Sequence, residues 1–174
     1  MKRNSILLFT TIFLVFISSC RVKPVGGSGK INKYVESFYK KDGMLYFIKP
    51  VEFYENGNKV LADFTFIKND SIAKPVITNL NIYGTPPFKQ PDSVAFSYAD
   101  KIATSKAIKL LYNDISSKKK FSRISTELPY SHFESFLLNE KSSITLYYGN
   151  QPKQYIAGKT WRKTHTKIHQ IIFW

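Results

Sequence analysis

A β-rich α+β domain, mainly an antiparallel sheet or sandwich with two or three short helices, is the fold this sequence predicts. Two observations carry that reading. The chain holds 14 Phe and 11 Tyr in 174 residues, and aromatic side chains at this density favour pleated, half-buried strands. Runs in which apolar and polar residues alternate recur between clusters of Asn, Asp, Gly, Pro and Ser, the punctuation of hairpins. No internal repeat and no second composition regime divides the chain, so residues 31–174 read as one globular domain.

Taken in order, Ile31, Tyr34, Val35, Phe38 and Tyr39 recur at helical spacing, with Lys40 and Lys41 behind them and Gly43 as a stop. They predict a short amphipathic helix over 31–40, with an extended strand as the alternative. Met44–Lys49, Val51–Glu55 and Lys59–Ile67 read as strands, the last two joined by Asn56-Gly57, which accepts the positive φ angles of a tight hairpin. Asn69-Asp70 marks the next turn, and Pro75–Tyr83 alternates as a further strand. Pro86, Pro87 and Pro91 exclude regular structure around Phe88, which becomes an exposed loop aromatic and a candidate partner contact.

Ser93–Tyr98 predicts a strand, and 99–112 is open between a helix and two strands, with strand preferred. Phe121–Leu128 alternates again until Pro129. Ser131, with Glu134 three residues on, forms a capping-box pattern for a helix reaching Asn139 that buries Phe133, Phe136 and Leu137. Ser143–Tyr148 and Lys153–Ile156 predict a hairpin. Trp161, His165, Ile168 and Ile172, at steps of four, three and four, predict a terminal helix over 159–174 docked on the sheet.

Ahead of the domain stands a different kind of segment. Lys2 and Arg3 are followed by an apolar run from Ile6 to Ile17, broken only by Thr10 and Thr11, and then by Ser18, Ser19 and Cys20. That is the order of a secretory signal. As a helix the run would extend about 18 Å, against about 30 Å of bilayer hydrocarbon, so it suits recognition and cleavage better than spanning. Ile17-Ser18-Ser19-Cys20 resembles the lipobox of bacterial lipoproteins, a likeness confined to the leader. The resemblance implies a signal peptide over 1–19, cleavage between Ser19 and Cys20, and a diacylglyceryl group on the Cys20 sulfur with a further acyl chain on its freed amine. Two or more acyl chains hold a protein firmly to a membrane where one does not. Arg21 stands where, in such lipoproteins, an aspartate favours the inner membrane, and Arg21-Val22-Lys23-Pro24 is the opposite of an acidic surface-export signal. The implied location is the periplasmic side of the outer membrane. Residues 20–30, with Gly26-Gly27-Ser28-Gly29, then form a flexible tether.

Lys and Arg number 26 against 12 Asp and Glu, a formal charge of +14. In a cytosolic protein this balance points to nucleic acid. Behind a lipobox the accessible polyanions are lipid headgroups, lipopolysaccharide phosphates, acidic wall polymers or an acidic protein partner. A diffusely basic, solubilising surface is the plainer alternative. Cys20 is the single cysteine, so no intramolecular disulfide forms and the domain depends on its core.

Sequence motifs for catalysis are weak. His165 and His169 lie one helical turn apart and could share a metal with His132, but Thr166 stands where a zinc hydrolase has its glutamate. No acid follows Lys141 to orient an imidazole, so the reading is no metal and no cofactor, with these histidines on a basic face beside Lys163 and Lys167. No Gly-x-Ser-x-Gly turn is present. The expected function is a non-catalytic binding or scaffold module. The alternative, a hydrolase of wall or surface glycans, requires carboxylates among Asp100, Asp114, Glu127, Glu134 and Glu140 to converge in one cleft.

Overall fold

The computed structural model describes residues 33–69, 74–84, 88–116 and 118–174. The leader, Cys20, the tether and the start of the domain at residue 31 lie outside the described residues. Ten strands form one antiparallel sheet: β1 Val35–Lys40, β2 Gly43–Glu55, β3 Asn58–Lys68, β4 Val76–Tyr83, β5 Ser93–Tyr98, β6 Lys101–Ser105, β7 Lys109–Asp114, β8 Phe121–Leu128, β9 Ser143–Tyr148 and β10 Gln151–Ala157. Two helices, α1 Tyr130–Leu138 and α2 Lys159–Phe173, complete the described residues. The order across the sheet is β6-β5-β9-β10-β2-β3-β4-β8-β7, with β1 paired to β2. Of the sheet or sandwich expected, a single sheet forms, curled into a half-barrel, with two helices among the described residues, the second of them fifteen residues long.

The residues expected to begin with a helix form β1. Val35–Lys40 pairs along Gly43–Ile48, and Phe38 meets Phe47 edge to face at 5.9 Å between ring centroids. A helix of so few residues is marginal, whereas the free edge of β2 pairs all six residues of β1, so the strand alternative prevails. The two short strands expected on either side of Pro50 are one strand, β2, with a register shift between Ile48 and Val51. Pro50 lies at that irregularity, where the edge of β2 changes partner from β1 to β10. Asn56 and Gly57 both have positive φ, 42° and 81°, which gives the expected tight turn.

Strand pairing explains the ambiguity of 99–112. Eight antiparallel steps separate β6 from β7, so the two run in the same direction. Residues 106–108 join them, which places Ser105 and Lys109 within about 14 Å of each other. One bent stretch of chain therefore pairs first with β5, at one edge of the sheet, and then with β8, at the other. It also brings β6 against β8, and that is how the sheet curls.

Each helix follows a strand that ends at the same end of the half-barrel, α1 after β8 and α2 after β10. Both lie in the concave face near that end. The ring of Phe136 is 5.3 Å from Trp161, 5.7 Å from Phe96, 6.0 Å from Phe64 and 6.2 Å from Phe53. All five side chains are fully buried. Aromatic pairs at these tilted and edge-on angles add to the area they bury.

The capping box is corrected by the structure. The helix starts two residues early, Pro129 in place of Ser131 occupies the cap with no side-chain bond, and Glu134 reaches His169 of α2 at 3.1 Å. Proline's fixed φ suits a helix start, and the Pro129 carbonyl accepts from the amides of His132 and Phe133. The other end is closed by side chains. Ser142 Oγ lies 2.7 Å from the Phe136 carbonyl, His165 Nδ1 is 3.0 Å from that of Leu137, and Trp161 donates to that of Asn139 at 3.0 Å.

Candidate functional site

With one end of the half-barrel filled by helices, the other end, marked by the β2–β3 and β9–β10 turns, is where a concave site can form. A cavity of about 300 Å³ opens there. Its inner wall is Ile82 of β4, Ser122 of β8 and Tyr155 of β10, all buried because their positions in the alternation face inward. Tyr83, Tyr148 and Phe88 flank it, and Asn58, Gln151, Lys89 and Lys153 stand around the mouth. Lys153 Nζ sits 5.5 Å from the centre of the Tyr148 ring.

Burial, reinforced by the negative charge of Glu55, pushes the Tyr148 phenol up to about 12. Burial, with smaller contributions from Tyr148 and Glu55, does the same to Tyr155, also to about 12. Both remain neutral hydroxyls at any physiological pH and can donate as well as accept a hydrogen bond. The cavity thus presents aromatic faces, phenols, amides, a serine and two ammonium groups. Among the described residues that line it there is no Asp, Glu, His or Cys. Such a site can bind a polar or anionic group.

The residues singled out in the sequence are distributed as follows. Phe88 is half-buried at the cavity, where an unshielded loop residue was expected. Ser19 and Cys20 lie outside the described residues. His165 and His169 are buried between the helices and not on an exposed basic face. Their partners are the Leu137 carbonyl and Glu134, and His132 Nδ1 is hydrogen-bonded to the Tyr98 hydroxyl. The acid that orients His169 comes from α1, a contact made in space that the local sequence does not display. No group of three His, Cys, Asp or Glu side chains suited to a metal converges among the described residues. Asp100 lies in the β5–β6 turn, Glu127 near the end of β8 and Glu140 just after α1, all exposed, while Asp114 accepts from Ser116. They share no cleft with Glu134 or with one another in any cavity described.

Two other polar or concave features differ from this site. On the outer face, Arg123 donates to Asp63 at 2.7 Å and to Asn81 at 2.6 Å, and Asn79 donates to Asp63 at 2.7 Å. That network ties β3, β4 and β8 together and its polar groups satisfy one another. A hollow of about 290 Å³ beside α1, between Tyr98, Lys101, Ser135 and Leu138, has a mainly apolar surface with few convergent polar groups. Sequence reasoning missed Ser122, Tyr148, Gln151, Lys153 and Tyr155. The one available signal is Tyr148 and Tyr155 placed on both arms of the predicted hairpin. Comparison with protein-family models, curated proteins and solved structures finds no match to this chain.

The raised phenols make stability fall in alkali. A phenol whose folded value lies above the ordinary 10.0 favours the folded state fully below pH 10, and that contribution is lost as pH rises through about 12. Urea midpoints should therefore drop between pH 9.5 and 11.5, and the drop should be smaller in Tyr155→Phe. An equal drop in both proteins would exclude Tyr155 as a source.

Proposed function

We propose that the chain is a lipid-anchored envelope protein whose folded domain is a non-catalytic binding module facing the periplasm. The cavity at the open end of the half-barrel is its binding site, and the ligand is an anionic or hydroxyl-rich portion of an acidic envelope polymer. The observation that carries this is the composition of the cavity: Lys89 and Lys153 at the mouth, neutral phenols and amides within reach, and no carboxylate among the described lining residues, the nearby Glu55 standing outside that lining. Ammonium groups attract phosphates or carboxylates, and aromatic and amide surfaces suit sugar rings and hydroxyls. The separated carboxylates give no support to glycan hydrolysis.

The anchor rests on Ile17-Ser18-Ser19-Cys20. Among the described residues no helix is long and apolar enough to cross a membrane. Cys20→Ala should abolish incorporation of labelled fatty acid and leave the precursor uncleaved, whereas the natural chain is labelled and processed. Equal labelling of the two would remove the anchor from the account.

Binding is tested by titrating the full chain with deacylated lipopolysaccharide core in a calorimeter. The natural chain should bind, and Lys89→Glu with Lys153→Glu should weaken binding by about a hundredfold or more, charge-assisted bonds being worth about 1.5–3 kcal/mol each. Unchanged affinity in the double variant would place the ligand elsewhere.

A further inference from the structure

The β7–β8 hairpin stands at the same end of the sheet as the cavity. Four large apolar side chains are exposed within six positions: Leu110 at 42%, Leu111 at 41%, Tyr112 at 51% and Ile115 at 62%. Each also lies within a few positions of an exposed lysine, Lys109 on one side and Lys118 and Lys120 on the other. The single acid in 109–120 is Asp114, whose carboxylate accepts from the Ser116 amide at 3.1 Å and hydroxyl at 3.2 Å. We propose that this hairpin docks the domain on an anionic lipid surface, its apolar side chains entering the headgroup region and its lysines meeting lipid phosphates.

Three features favour a membrane over a protein strand or a second copy. The pairing of β7 with β8 shifts register between Leu110 and Tyr112, so Leu111 is bulged and the edge is irregular. Bulges and edge lysines are devices that block strand addition. The mixture of aliphatic residues, a tyrosine and lysines matches what an interface of headgroups and acyl chains accepts, with lysine stems lying along the apolar boundary. The tether permits the orientation. Cys20 and Lys33 are thirteen residues apart and so up to about 45 Å extended, whereas a domain of this size has a radius of gyration of only about 14 Å. The proposal takes the nearness of a membrane from the anchored reading above, and everything else from the hairpin. Docked this way, the cavity mouth with Lys89 and Lys153 faces the headgroups.

The test uses the chain from residue 20 onward, without the apolar 6–17 run that Cys20→Ala would leave uncleaved, with Cys20→Ala to remove the natural thiol and a nitrobenzoxadiazole fluorophore on Ile115→Cys or, at the opposite end, on Tyr39→Cys, which replaces a side chain 73% exposed. Each protein is mixed with phosphatidylethanolamine vesicles with and without phosphatidylglycerol. The label at 115 should brighten and shift to the blue with phosphatidylglycerol only, and the label at 39 should not. Lys118→Glu with Lys120→Glu should reduce the apparent partition by about thirtyfold or more, since each lysine near an anionic surface contributes roughly a factor of five. No response at 115, or equal responses at 115 and 39, overturns the proposal. A shift at 115 that grows with protein concentration without vesicles shows pairing between copies and overturns it as well. None of these outcomes depends on lipid at Cys20, so a failure of the anchor is read separately from fatty-acid labelling.

Discussion

The packing of Phe136 and Trp161 against Phe53, Phe64 and Phe96 is the contact on which the rest of the molecule depends. A sheet that curls strongly leaves a concave face too wide for its own side chains to fill, and empty volume in a core costs stability steeply. Two helices supply the missing volume at one end. Their aromatic rings touch strands from distant parts of the sequence, β2, β3 and β5, so the helices and the curl of the sheet stabilise one another. The buried end of α1 is a further constraint. Its last carbonyls would be unsatisfied in an apolar setting, and Ser142, Trp161 and His165 supply the donors. His165 and Trp161 thus bind the helices together and close the end of α1 at the same time.

Much of this architecture is legible in the chain because alternation survives wherever one face of a strand is buried. β3, β4 and β8 alternate almost perfectly between buried and half-buried positions, and all three were readable. The terminal helix was readable because Trp161, His165, Ile168 and Ile172 form one stripe, all of them buried. Local signals fail where the deciding partner is remote. Val35–Lys40 carries a pattern compatible with either element, and only the free edge of β2 decides it. The bent passage through 106–108 is ambiguous because β6 and β7 belong to opposite edges of one sheet, and nothing in five- or six-residue strands announces which neighbour each will find. The capping-box pattern at Ser131 and Glu134 is displaced by Pro129, whose fixed φ starts the helix, and by His169, which draws Glu134 across to α2.

The candidate site was hardly legible at all. Its residues come from five strands and one loop, and each type is common: tyrosine, lysine, serine, asparagine, glutamine. Only their convergence at an open barrel end gives them meaning, and convergence is a property of topology. Phe88 stands out in the sequence as an aromatic among prolines, but its surroundings are those of a cavity and not of bulk solvent. The division of labour that emerges is between two ends: one filled with aromatic side chains, the other polar, basic and accessible, with the hairpin of exposed apolar residues beside it.

That division has a dynamic signature. In native-state hydrogen exchange of the full chain, amides of α1 and α2 should exchange as slowly as those at the centres of β2, β3 and β4, through opening of the whole domain, while β7 and the β9–β10 turn exchange faster by local opening. Helices that exchange far faster than the central strands would show that the sheet holds its curl without them, and would contradict the account.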